Sequence, residues 1–359
     1  MPRTSEVLIF LAFCVVSVCE MAAQKPEAIA TLPLSQMLAG DAQSNIYGAV
    51  TFISESSIAL GVCATGKSTG CSLSVIHWAE GQLKTVATTP DFDSMFTNVH
   101  RAPVDALLAT TVPGKTVWYS SDLSSTHAAH NVSEISFSGK TSAQWSKDGW
   151  TLFTSDRPEP IRNGTGTMLS VSDEFVAFQK NDALHIERID GNQISLLKLL
   201  PKSKCLTEAQ ILPTARIYLE DCKAIRIVDF SSKLLVSQER PKGWSPTAFE
   251  RDRWSADGNR VLFNCWSRKV SLLRNAGELA IAFTTLGMGV GDQQDNREEI
   301  RVIDATSGRV CFDLHRSFLI GTEPAFFHNA AISPSGQFIA VAADGLLSLY
   351  RTSTACRGN

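Results

Sequence analysis

After its first twenty residues, the chain has no apolar run long enough to cross a bilayer as a helix, which needs about 20 residues. It also lacks an excess of charge. The 33 Lys+Arg stand against 36 Asp+Glu, a formal net charge of −3, so no basic footprint marks a nucleic-acid or anionic-membrane partner. Aromatic residues are only 8%, and no long segment repeats apolar residues at the 3.6-residue helical period, which argues against a helical bundle. The best helical candidate is Asn275–Leu286 (NAGELAIAFTTL), which also reads as a strand. There is no C-x-x-C pair, which weighs against a zinc or thioredoxin-type site. There is no G-x-S-x-G elbow for a serine nucleophile. The one glycine run, Gly287-Met-Gly-Val-Gly291, precedes no βαβ unit and so is not a dinucleotide fingerprint.

What is present begins with a targeting segment. Arg3 supplies a positive start, and Val7–Val18 (VLIFLAFCVVSV) is an apolar run of 12 residues. That length suits a signal-peptide core. Met21-Ala22-Ala23 before Gln24 places cleavage near Ala23. Residues 1–23 are then a signal peptide and 24–359 the mature, exported protein, periplasmic or extracellular, with no membrane span. Cys14 and Cys19 raise a lipoprotein alternative, but bulky Phe13 and Val18 precede them where a lipidation site takes small residues.

Nine cysteines are present, and seven remain after residue 23. An oxidising compartment permits disulfides. Cys63 and Cys71 flank the turn-like ATGKSTG and are expected to face each other across a hairpin. Cys205 and Cys222 flank strand-like runs of one repeat and form a second candidate pair. Pairing of Cys265, Cys311 and Cys356 is left open, and the odd count leaves at least one free thiol or an intermolecular bond.

The main signal is repetition. Ile135 begins ISFSGKTSAQW, Ile332 begins ISPSGQFIAVA, and Trp254 lies in RWSADGNRVLF. In each, a strand ends, Ser and Ser or Asp start a tight turn, and Gly takes the positive φ the turn requires. An alternating apolar strand then returns. Later strands also echo one another: SLSVIHW, KTVWYSS, ALHIERI, AIRIVDF, EIRVIDA and LLSLYRT. The first strands end near Phe52, Val99, Ile135, Leu169, Ile211, Trp254 and Ile332. Most steps approach the ~40–45 residues of a four-stranded repeat unit. Ser267–Glu299 is an insertion in the sixth unit.

These residues resemble WD-type and related bacterial propeller repeats, over nearly all of the mature chain. The resemblance implies an all-β fold: one seven-bladed β-propeller of four-stranded antiparallel blades, with six or eight blades as alternatives. The Gly-His and Trp-Asp dipeptides of the best WD repeats are absent. Too few residues follow SLYRT for a fourth strand, so Ala28–Leu34 (AIATLPL) is expected to complete the last blade and cover its edge.

Site candidates are sparse. Asp292, Asp295, Glu298 and Glu299 cluster at the end of the insertion, which reads as a long solvated loop and the first candidate for a binding loop. No metal or other cofactor is expected. These four acids are the residues a calcium site would have to use, although the spacing is not that of an EF-hand. His127 and His130 have three-residue spacing but no third ligand in view. Asp91 and Asp93 are expected in a solvated loop. Asn131-Val-Ser133 and Asn163-Gly-Thr165 match glycosylation acceptors. Trp118, Trp145, Trp150, Trp244, Trp254 and Trp266 are expected to pack between blades. The functional expectation is an exported, non-catalytic scaffold that binds a protein or another extracellular ligand through its loops. The alternative is an exported lactonase, glycosidase or lyase with acids at the channel mouth.

Overall fold

A computed structural model describes residues 26–34, 46–64, 71–89, 96–102, 106–111, 116–128, 132–136, 138–146, 149–181, 183–191, 193–198, 206–221, 223–240, 244–246, 253–268, 295–319, 330–343 and 345–356. Among them every regular element is a strand. The strands form seven four-stranded sheets, and all strand pairs are antiparallel. In chain order the sheets span 46–88, 96–128, 134–164, 167–198, 206–239, 244–319 and 330–351, here sheets 1 to 7. Within sheets 1 to 6 each strand pairs with its chain neighbour, and sheet 7 takes the early strand Ala30–Pro33 as its outer member.

The hairpins that join first to second strands show why the repeat reads as it does. The backbones of Ser136, Ser255 and Ser333 pair with Thr141, Arg260 and Phe338, and Gly139, Gly258 and Gly336 each donate N–H to the serine carbonyl at 2.8 Å. Each serine hydroxyl also accepts the N–H five residues on, from Thr141 at 3.0 Å, Arg260 at 3.0 Å and Phe338 at 3.2 Å. Two residues after it, Ser138, Asp257 or Ser335 accepts a further N–H, from Lys140, Asn259 or Gln337. The three glycines sit at φ 72°, 65° and 73°, the left-handed region where a Cβ is strained. The Ser-x-Ser/Asp-Gly motif is therefore one hydrogen-bonded turn used three times.

The six similar runs are all third strands: Cys71–Ala79, Thr116–Ser120, Ala183–Arg188, Ala224–Asp229, Asp295–Asp304 and Leu346–Arg351. In Ala183–Arg188, Leu184 and Ile186 are buried while the residues between them are only partly so. Such a strand has a side chain leaving each face in turn. Both faces must be covered, and sheets 3 to 7 do this by stacking in succession. Trp150 of sheet 3 packs with Met168 and Phe178 of sheet 4. Leu184 and Ile186 meet Ile211 and Ile217 of sheet 5. Ile225 and Ile227 meet Val261 and Phe263 of sheet 6, and Ile300 and Val302 meet Ile332 and Ile339 of sheet 7.

Sheet 7 then packs on sheet 1. Leu32, Phe338 and Leu347 join Phe52, Ile58 and Ile76 in one buried cluster, and the Trp78 and Phe338 rings lie 4.7 Å apart. The Glu55 carboxylate accepts from the Ser335 hydroxyl at 2.8 Å. The chain ends meet in the same sheet, with Ala30 opposite Leu349 and Pro33 opposite Leu346. Only four residues of Ala28–Leu34 are strand, but Leu34 continues the contact by donating its N–H to the Gly345 carbonyl at 2.8 Å.

The cysteines divide unevenly. Cys311, in the fourth strand of sheet 6, is bonded to Cys356 beyond the last strand. No sequence signal selected that pair. It ties the C-terminal tail to the preceding sheet. The backbone of Cys63 stands directly opposite that of Cys71, while their side chains, and all of Cys205 and Cys222, lie outside the described residues, as do residues 1–25. The insertion is narrower than 267–299, because Ser267–Arg268 and Asp295–Glu299 belong to paired strands. The helical candidate Asn275–Leu286 lies outside the described residues.

Two outcomes test these assignments. A Cβ on Gly336 would meet Arg260 Cγ at 2.5 Å, whereas one on Gly345 meets nothing within 4 Å, although both have positive φ. In urea unfolding, Gly336→Ala is expected to cost about 2–3 kcal/mol and Gly345→Ala about 1 kcal/mol. Loss of a 45-residue cross-link in Cys356→Ser is expected to lower stability by up to about 4 kcal/mol on the loop-entropy account. Reduction should cost the parent protein more stability than it costs the variant.

Candidate functional site

Among the described residues, the largest concentration of buried charge lies where sheet 5 faces sheet 6. Local sequence explains its inner half. In the second strand of sheet 5, Arg216–Asp221, Tyr218 and Glu220 share one face because successive side chains alternate. Arg253, just before the Trp254–Val261 bridge of sheet 6, inserts its fully buried guanidinium against them. Arg253 Nη1 donates to Glu220 Oε2 at 2.6 Å and to the Tyr218 hydroxyl at 2.9 Å, and lies 3.4 Å from Glu208 Oε2. Arg240, directly after the fourth strand of sheet 5, donates to Glu220 Oε1 at 2.6 Å and to the Asp221 carbonyl at 2.8 Å. Glu220 is thus clamped by two guanidinium groups, all three side chains at most 1% exposed. Burial pushes the Tyr218 hydroxyl well above its ordinary value, so it stays protonated and donates to Glu220 Oε2 at 2.8 Å.

The outer half lies on three adjacent strands of sheet 6: Arg260–Arg268, Asp295–Asp304 and Val310–Leu319. Their register aligns Cys265 with Glu299 and Glu299 with His315, and aligns Arg301 with Asp313. Directly paired residues share a face, so these five lie on one side of the sheet. Cys265 is a buried free thiol. Burial, then the Glu299 carboxylate, pushes it well above its ordinary value, which leaves it a protonated apolar filler rather than a nucleophile. Burial also raises the Glu299 carboxyl, against the pull of Arg301 and His315. Arg301 touches Glu299 Oε1, and its Nε lies 3.3 Å from Asp313 Oδ1. His315 Nε2 lies 3.1 Å from the same Asp313 oxygen.

The calcium candidates do not converge here. Glu298 and Glu299 are adjacent in one strand and leave opposite faces. Glu298 accepts from Asn264 at 2.9 Å and contacts Arg316, away from Glu299. Asp295 begins the strand with its side chain outside the described residues, and Asp292 lies wholly outside them. His130, Asp91 and Asp93 also lie outside, and of His127 only the backbone is described, in the strand Thr126–Ala128. Asn163 falls in the strand Arg157–Gly164. Among the tryptophans, Trp150 and Trp254 are buried between sheets, whereas Trp145 is 46% exposed.

No protein-family profile matches the chain, and no curated protein does. Solved structures do. The C-terminal WD40 domain of Sif2 superposes with a TM-score of 0.51 at 12% identity, over 91% of this chain and 98% of that domain. The chain has a WD-type propeller fold. The computationally designed Ika8 protein superposes with a TM-score of 0.50 at 13% identity, over 90% of this chain and 99% of the other. At such identity the likeness concerns fold alone. The charged residues above form a seam between two consecutive four-stranded sheets.

Sequence reasoning missed this seam. The available signal was a charge in phase with an apolar face: Glu220 beside Tyr218, and Glu299 in step with Ile303. Buried ion pairs add little net stability, but breaking one strands its partner in an apolar site. Glu220→Gln, which leaves Arg240 and Arg253 facing a neutral amide, is expected to cost about 3–5 kcal/mol in denaturant unfolding. Arg226→Gln, in a pair that is partly exposed, is expected to cost under about 1 kcal/mol.

Proposed function

We propose that residues 24–359 form a single closed seven-bladed propeller, exported and non-catalytic, that binds a protein or other ligand outside the cytoplasm through the loops joining its blades. The observation that carries this reading is the order of the sheets. Seven four-stranded sheets follow one another along the chain, and the strand Ala30–Pro33 completes the last. That arrangement removes the exposed edge of the final sheet and brings it against the first. A propeller so built is rigid and presents variable loops at both ends of a channel, which suits recognition.

Export rests on the signal-like Val7–Val18 run and the Ala23–Gln24 junction, supported by a disulfide between two blades, a bond that persists in oxidising compartments. No helix among the described residues is long and apolar enough to cross a membrane.

Expression with the native N-terminus in an export-competent host tests the first half. The recovered protein is expected to begin at Gln24, and a product that keeps Met1 and stays in the cytosol overturns export. Photocrosslinkers placed at exposed Thr165, between the last strand of sheet 3 and the first of sheet 4, test the second half in the exporting cell. They are expected to trap one dominant partner that is lost on competition with unlabelled protein. Turnover of lactones, glycosides or uronic-acid polymers by the purified chain would overturn a purely binding role.

A further inference from the structure

The outer half of the seam brings together side chains that suit a metal ion. One ligating atom each from Glu299, Asp313 and His315 lies within 4.8 Å of the other two. These residues come from two neighbouring strands whose register puts Glu299 opposite His315, so the grouping follows from the sheet itself and not from a chance meeting of loops. Exposure is graded along the row. Glu299 is 2% exposed, Asp313 37% and His315 61%, so one ligand is rooted in the interface and the other two open to solvent.

We propose that Glu299, Asp313 and His315 bind a divalent first-row transition cation, with zinc the best match. Two carboxylate oxygens and one imidazole nitrogen make three ligands of the kinds zinc takes, and water from the open side supplies the fourth. Calcium is a poor match, since it prefers six to eight oxygen ligands and no nitrogen. Arg301 bears on the proposal directly. Its guanidinium touches Glu299 and approaches Asp313, so it is the cation those carboxylates hold while no metal is bound. At 24% exposure, the side chain has a path to solvent. Metal entry turns it outward and replaces one positive group by another, which leaves neither carboxylate bare. Arg301 and the metal are therefore competitors for one site.

This reading separates the site from the cluster expected in the sequence. Glu299 belongs to both, but Glu298 is committed to Asn264 and Arg316 on the opposite face. Asp313 and His315 lie on the next strand, beyond the reach of any local motif.

Isothermal titration of the chelator-treated full chain with zinc chloride tests the proposal, with calcium chloride in parallel and cobalt absorption as a second readout. Zinc is expected to bind at one site per chain, and calcium to give no saturable heat. His315→Ala, which alters an exposed side chain, and Asp313→Asn should each weaken zinc by about tenfold or more, as loss of a ligand does at least as much as loss of a ligand's support. Arg301→Gln should tighten it, the signature of a displaced competitor. Cobalt should give a visible spectrum that changes in His315→Ala. The proposal is overturned if the parent and Arg301→Gln both fail to bind zinc. It is equally overturned if His315→Ala binds as the parent does, or if calcium binds as tightly as zinc. Thermal melts of each variant confirm that the chain is folded in every comparison.

Discussion

A four-stranded sheet with apolar side chains on both faces cannot stay in water alone, and that constraint governs the molecule. Leu184 and Ile186 on one strand, or Ile300 and Val302 on another, are buried only because another sheet lies against them. From sheet 3 to sheet 7 each sheet covers a face of the next. Contact between sheet 7 and sheet 1, through Phe338, Leu347, Phe52 and Ile58, buries a further pair of faces. One edge of sheet 7 is covered as well. Backbone groups of Leu346–Leu349 that would face solvent instead pair with Ala30–Pro33, so the chain ends are fastened by hydrogen bonds, and Cys356 adds a covalent tie to sheet 6.

Between sheets 5 and 6 the interface departs from this apolar rule. Two arginines and a glutamate are withdrawn from water beside Tyr218, and the arrangement is tolerable only because Glu220 receives a guanidinium on each carboxylate oxygen. Further out, Cys265, Glu299, Arg301, Asp313 and His315 continue the polar row to the surface. A slip between the two sheets would leave a charge facing aliphatic carbon, at the cost of an uncompensated buried charge.

Much of the strand inventory was open to inspection in the amino-acid order because it depends on local rules. The serine hydroxyl in Ser136, Ser255 and Ser333 closes its turn within five residues, and Gly139, Gly258 and Gly336 supply the left-handed φ inside the same turn. Third strands such as Ala183–Arg188 show themselves by alternation over six residues. Harder to read were features that join distant segments. Nothing near Cys311 indicates Cys356. Glu220 looks like an ordinary strand acid until Arg253 and Arg240 are seen to close on it. The pairing of Glu299 with His315 depends on which residues of two strands stand opposite.

The sequence by itself determined the class of element, the repeated turn, the approximate number of units and the strand at the N-terminus that could complete the last one. Each follows from steric and hydrogen-bonding preferences that act over a few residues. Only the tertiary structure decided the pairing of Cys311 with Cys356, the face to which Glu298 and Glu299 are each assigned, and the convergence of charge between sheets 5 and 6. Those outcomes depend on strand register and on how one sheet lies across another, and a shift of a single residue would send every side chain in the strand to the other face.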